Sequence, residues 1–264
     1  MALGVLAACT GDSAAGTPRR AAKSAGASTT ESSGDVVIRA ESTPYTVSAV
    51  AATGSVSGTV TLKNALDPLP AATTGKDSAL CGPSMPDESL LERSGAVAGV
   101  VVWLEGVRTG KPPGLERRVE LESDRCRLTP RVQAAVVGSA VNVIGHDNLL
   151  QRLAFQVAGE AAPRATIQLG GGEQVIPTEL PFRKSGMVAV RDTEHVWSRA
   201  YLAVFDHPYF AVTSLAGTFT IDSVPPGKYT MHAWHERTGV TTQSVDVAAS
   251  GAAKVSIALE PEKP

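Results

Sequence analysis

Several things are scarce in this chain of 264 residues, and each scarcity removes a class of answer. Aromatic residues make up only 5%, too few for an architecture resting on broad aromatic layers. There is no surplus of positive charge: 24 Lys and Arg stand against 26 Asp and Glu, a formal net charge of −2. The electrostatic footprint of a general nucleic-acid binder is therefore missing, and polyanions are not expected partners. No apolar run is long enough to span a bilayer as a helix, and no stretch carries the repeat of a long amphipathic helix. What is present, 25 Gly and 17 Pro among many Val, Thr and Ala, favours short strands joined by turns. The expected fold class is all-β.

Three cysteines remain to be placed. Cys9 closes "LAAC" after a short apolar run, and this string resembles the lipobox of bacterial lipoproteins, in which the cysteine becomes the lipidated N-terminus. The basic residues and longer apolar region that usually precede the box are not in "MALGVLAAC", so a start further upstream is expected. The next segment, "TGDSAAGTPRRAAKSAGASTTESSGD", has no periodic apolar face and cannot bury enough surface to offset the entropy of ordering. Residues 1–9 therefore read as a truncated signal with its lipobox, and 10–43 as a disordered tether. Export would put Cys81 and Cys126 in an oxidising compartment, where they are expected to pair.

Beyond the tether, apolar residues recur at every second position. In "GSVSGTVTL" Val56, Gly58, Val60 and Leu62 alternate with Ser and Thr, the period of a half-buried strand. Strands are also expected at "AGVVVWLEGV", "RRVELES", "CRLTPRVQAAVV" and "SAVNVIGHDN". The triple glycine Gly170–Gly172 lacks the Gly-Lys-Ser/Thr ending of a phosphate cradle and reads as a hairpin turn. "VPPG" (residues 224–227) and Ser250-Gly251 read as further turns between strands, the latter in a second hairpin.

Two stretches resemble known families. "DHPYFAVTSLAGTFTIDSVPPGKYTMHAWHE" resembles the carboxypeptidase regulatory-like, or transthyretin-like, module at Gly217, Phe219, Ile221, Val224, Pro225, Pro226, Gly227 and Tyr229. "GSVSGTVTL" is similar to the strand that opens such modules. Residues from about 80 to 205 resemble bacterial cupredoxin-like exported proteins that carry this same module, some of them methylamine utilization proteins. Their metal strings run Asn-x-Asp-Pro-x-x-His-Asn and Cys-x-x-His-Pro-Trp-Met; here the matching strings are "GHDNLLQR" and "DTEHVWS". Gln151 then stands at the first ligand position, Asp192 at the cysteine and Ser198 at the methionine, leaving His195 as the one ligand kept. The resemblance also places Cys81 and Cys126 where the family has a separate pair.

A blue-copper centre needs a thiolate, and Asp192 cannot replace it. Asp192, His195, Gln151 and His146 could gather at a loop end and hold zinc or copper, but the expectation is a vestigial site with no cofactor. Ser198, His195 and Asp192 lie close in sequence, yet there is no G-x-S-x-G elbow and strand neighbours alternate between faces. His232 and His235 in "HAWHE" are three apart on a strand, which is not a zinc-protease motif. Tyr209, Phe210, Tyr229 and Trp234 read as core rather than as a sugar platform, and His207-Pro208 as a rigid joint. The expected whole is a cupredoxin-like domain over 44–205 and a transthyretin-like unit over 206–264, with pairing of the opening strand near 54–63 to the C-terminal unit left open. The expected role is a non-catalytic, lipid-anchored envelope protein that binds an unknown protein or glycan and no nucleic acid. The alternatives are a metal-binding periplasmic carrier or redox protein, and a hydrolase.

Overall fold

The computed structural model describes Ile38 and residues 44–115, 117–178 and 183–260. Cys9, and all of the 10–43 tether except Ile38, lie outside the described residues. Ile38 itself is 5% exposed and packed in a core, so the tether as expected runs too far: at least one of its residues is part of the folded protein.

The architecture is all-β. Among the strands longer than two residues, β1 (Gly54–Leu62) and β2 (Val101–Glu105) come first. Nine strands follow: β3 (Arg118–Asp124), β4 (Arg127–Thr129), β5 (Val132–Val136), β6 (Ala140–Gly145), β7 (Gln151–Val157), β8 (Ala165–Leu169), β9 (Gln174–Thr178), β10 (Gly186–Asp192) and β11 (Arg199–Phe205). The chain closes with β12 (Phe210–Val212), β13 (Thr218–Val224), β14 (Gly227–His235), β15 (Gly239–Val247) and β16 (Ala252–Leu259). The sheets do not respect a boundary at 205/206. One has the order β12-β2-β14-β15, and in another β1 lies between β13 and β16. Strands from both ends of the chain thus make one sandwich, and β3–β11 form a second sandwich inserted between β2 and β12, with sheets β4-β3-β6-β9 and β5-β11-β10-β7-β8. The expected 44–205 domain is divided for a physical reason. Val102 and Leu104 share a core with Met231, Ala233 and Val245, and β2 fills the slot between β12 and β14 that the C-terminal strands leave open.

Three turns behave differently from their local chemistry. Gly170–Gly172, "VPPG" and Ser250-Gly251 each reverse the chain, but the strands they join do not pair. β8 pairs with β7 while β9 pairs with β6; β13 pairs with β1 while β14 pairs with β2; β15 pairs with β14 while β16 pairs, in parallel, with β1. All three are corners that carry the chain from one sheet of a sandwich to the sheet facing it. At "VPPG" the Tyr229 hydroxyl donates to the Pro225 carbonyl at 2.8 Å and pins the corner. Gly217 shows why its motif wants glycine: φ is +68°, and a Cβ would sit 2.7 Å from the Val60 carbonyl oxygen.

The first sandwich is filled by residues such as Val56, Val60, Phe219, Ile221 and Ile257, the second by Leu121, Val143, Leu153, Phe155 and Val204. A third core lies between them. Met187, Ala189, Tyr201, Ala203 and Phe205 on one face of β10–β11 pack against Val101, Trp103 and Trp234. Here the scarce aromatics collect: Tyr201 meets Trp234 edge-on at 5.2 Å, Trp103 lies 5.5 Å from Phe205, and Phe210 stacks on Phe205 at 4.8 Å. β10 and β11 are therefore buried on both faces, which is why "AYLAVF" is a continuous apolar run rather than an alternating one. The two sandwiches share this buried core, in which Trp and Tyr rings each remove a large apolar area from water. The seam ends in the Arg131–Glu236 ion pair, 2.5 and 2.8 Å, which bridges the sandwiches.

Candidate functional site

The loop joining β10 to β11 is a tight hairpin connection: Asp192 N donates to Ser198 O (3.0 Å) and Ser198 N to His195 O (2.9 Å). The inner side of this hairpin tip carries the residues that chemistry would single out. Asp192 is 2% exposed, and its carboxylate accepts from the backbone amides of Arg152 and Glu194 at 3.2 and 3.0 Å. His195, 1% exposed, has Nδ1 2.6 Å from Asp192 Oδ2 and Nε2 3.2 Å from Asp77 Oδ2. Whichever nitrogen carries the proton, neither ring nitrogen is left aimed at open space. The two carboxylates lie against opposite edges of the imidazole, so the three groups do not converge on a point where a cation would sit.

The remaining expected ligands are elsewhere. Gln151 is buried, its Oε1 accepting from Ser123 Oγ at 2.5 Å while Nε2 has no hydrogen-bond partner. His146 is exposed and faces Glu173 (3.0 Å) and Glu122 (3.7 Å); hydrogen bonding to Glu173 raises its pKa from the usual histidine value. His146 faces outward where β6 ends, whereas His195 is enclosed, so the four do not form one set. Among the described residues no three His, Cys, Asp or Glu side chains form a metal-holding group. Ser198 Oγ is buried with no hydrogen bond and does not engage His195: the Asp192–His195 contact exists, but the serine relay of a hydrolase does not. His232 and His235 face opposite sides of β14. His232 stacks on Trp103 at 4.8 Å and meets Glu105 at 2.8 Å, while His235 is buried.

Asp77 reaches His195 because its segment is fastened down. The short helix Ser78–Cys81 follows directly, and Cys81 is disulfide-bonded to Cys126 at the β3–β4 turn. Trp197 covers the bridge, donating Nε1 to the Cys126 carbonyl at 2.9 Å and lying 5.2 Å from the His195 ring.

The outer side of the same hairpin tip opens on a cleft of about 550 Å³ between the 69–89 segment and the two sandwiches. Five arginines line it: Arg127, Arg131, Arg191, Arg199 and Arg237. Arg131 is paired with Glu236, Arg127 with Glu88, and Arg237 with Asp87 at 3.6 Å. Arg191 and Arg199 have no carboxylate within ion-pair distance among the described residues, and they are direct cross-strand partners in the β10–β11 ladder. Tyr201 lines the cleft too. Burial pushes its hydroxyl's pKa up, and Glu236 adds to it, while Arg199, Arg131 and Arg191 pull it down. Neither arginine was marked by sequence reasoning. The available signal was "RDTEHVWSR" itself, a short loop with arginine at both ends, since a hairpin register sets those ends face to face.

Residues 182–255 match the family model of polysaccharide lyase family 4, domain II, a span that takes in β10 and β11 of the inserted sandwich and ends in β16. No curated protein matches the chain. Among solved structures, the chain is similar to a Cu-containing nitrite reductase from Thermus scotoductus SA-01, at 18% identity over 33% of this chain and TM-score 0.29. It spans only 22% of that protein's length. A mutant amicyanin in its Cu(I) form is similar at 17% identity over 33% of this chain and 82% of its own, with TM-score 0.23.

Proposed function

We propose that this is a non-catalytic binding protein of the bacterial cell envelope, cupredoxin-like in its inserted sandwich and carboxypeptidase regulatory-like in its C-terminal strands, held to a membrane by a lipid on Cys9. The observation that carries the proposal is the enclosure of His195. The one ligand kept from the cupredoxin pattern is buried between two carboxylates, so the residues that would do redox or hydrolytic chemistry are spent on holding a loop. The Cys81–Cys126 disulfide supports a location outside the reducing cytoplasm. The match to a domain named for polysaccharide lyases supports a glycan rather than a protein as the partner.

Metal analysis after exhaustive dialysis tests the reading. Protein without stoichiometric copper or zinc and without visible absorption is the expected result; one copper per chain with an intense visible band would overturn it. For the anchor, fatty-acid labelling of cells should mark the wild-type protein and spare the Cys9→Ser variant.

A further inference from the structure

We propose that the Cys81–Cys126 disulfide is a redox latch: a dithiol opens it through Cys81 while the protein stays folded, and the 69–89 segment then leaves the hairpin tip, uncovering His195 and unpairing two arginines of the cleft. The proposal is independent of which partner the protein binds.

The way the segment is held carries it furthest. Its ladder is internal, Ala72–Thr73 pairing with Ser84–Met85, so it adds no strand to either sandwich. None of its residues belongs to the three cores that fill the two sandwiches and the seam between them. Leu69 and Leu80 are 48% and 50% exposed. Its apolar attachment is the small cluster in which Met85 and Cys81 meet Cys126, Leu149 and Trp197, and the disulfide runs through that cluster. The other ties are polar: Asp77 to His195, Glu88 to Arg127, and Asp87, Ser89 and the neighbouring Asp67 carbonyl to Arg237. Partly exposed ion pairs hold weakly, and a segment with little apolar burial belongs to the part of a fold that opens first. The covalent bond between residues 45 apart is therefore the contact that decides whether the segment stays.

The two sulfurs are not equally open. Cys126 is 1% exposed, whereas Cys81 is half-buried and lines a cavity of about 460 Å³ together with the exposed Leu80 and Arg125. Access selects the sulfur that is attacked. An incoming thiolate forms a mixed disulfide at Cys81 Sγ while the Cys81–Cys126 bond breaks, and its electron pair leaves on Cys126 Sγ. The second thiol of the reductant then displaces Cys81. The protein gains two electrons and two protons, and the dithiol is oxidised to its own disulfide.

Release has two chemical consequences. His195 Nε2, 3.2 Å from Asp77 Oδ2, loses that carboxylate and becomes accessible, while Asp192 still holds Nδ1. Asp87 and Glu88 leave with the segment, so Arg237 and Arg127 lose their carboxylates and only Arg131 keeps its own, Glu236. The oxidised and reduced forms thus present clefts of different charge.

The test uses the full chain, purified with its disulfide intact, and dithiothreitol under native conditions. Alkylation of Cys81 and Cys126, read by peptide mass, should follow in folded protein. Amides of residues 72–85 should exchange about a hundredfold or more faster after reduction, while those of β10 and β14 keep their oxidised rates. Diethyl pyrocarbonate, which acylates exposed imidazoles, should label His195 only in the reduced protein and the exposed His146 in both forms. Reoxidation should reverse each change. Cys81→Ser with Cys126→Ser should match the reduced protein without dithiothreitol, whereas Asp77→Asn with the disulfide intact should keep slow exchange over 72–85. A bond that resists dithiothreitol until the protein unfolds would overturn the proposal and make the bridge a plain staple. So would exchange and His195 labelling that do not move on reduction, or β10 and β14 opening together with the segment, which would mean global destabilisation instead of a local release.

Discussion

The tip of the β10–β11 hairpin has two sides, and they contrast sharply. The inner side holds Asp192 and His195, residue types that do chemistry in many proteins, and it spends them on structure: Asp192 accepts three contacts and both nitrogens of His195 are occupied. The outer side holds Arg191 and Arg199, cross-strand partners with no carboxylate within ion-pair distance among the described residues. Residue type alone therefore pointed to the wrong side. What separates a lock from a site is whether the polar groups are already satisfied, since an interior network gains by being complete while a binding site keeps donors in reserve.

The disulfide should have the largest effect on this arrangement. Cys81 and Cys126 are separated by 45 residues, and closing a loop of that length stabilises by about 4 kcal/mol in the chain-entropy model. Cys81→Ser with Cys126→Ser should lower the unfolding free energy by roughly that amount in denaturant titration. It should also free the 69–89 segment, exposing both the His195 lock and the cleft wall to amide exchange.

Next comes the lock itself. Asp192→Ala leaves two backbone amides and a buried imidazole edge without their acceptor, and about 3 kcal/mol of stability should be lost. A loss below about 0.5 kcal/mol, the range of ordinary surface changes, would mean that the inner side is not structural.

A pH test follows from His235. Burial, with Arg237 and Arg131 adding to it, lowers its pKa to about 4, against about 6.5 in an unfolded chain. The unfolded state then binds the extra proton between those values. The stabilisation is complete above about pH 6.5 and declines as pH falls toward 4, by about 2–3 kcal/mol in total. His235→Gln should flatten the unfolding free energy across that window, and an unchanged slope would show that other groups set the acid response.

Much of the fold was legible because it depends on local pattern. Alternation in "GSVSGTVTL" put Val56 and Val60 inward, and both are fully buried; turn residues marked the reversals at "VPPG" and Ser250-Gly251. Local pattern could not say what each strand would lie beside. A turn fixes that the chain reverses, but whether its arms pair in one sheet or face each other across a core is decided by which strands compete for the neighbouring edge. β1 and β2 won those edges from far away in sequence, which is how three expected hairpins became corners and one expected domain was split. The candidate site was legible in part. His195 and Asp192 do meet, because only two residues of a tight loop separate them, whereas His146 and Gln151 depend on long-range placement and went elsewhere. Asp77 could not be foreseen, since it arrives through the disulfide-held segment.

The central claim, that the inner side of the hairpin tip holds the fold while the outer side does not, is most directly tested by comparing His195→Gln with Arg199→Gln in denaturant unfolding. The account predicts that His195→Gln loses about 2 kcal/mol or more of stability, while Arg199→Gln stays within about 0.5 kcal/mol of the wild type. Equal losses in the two variants, or a loss in Arg199→Gln alone, would contradict it.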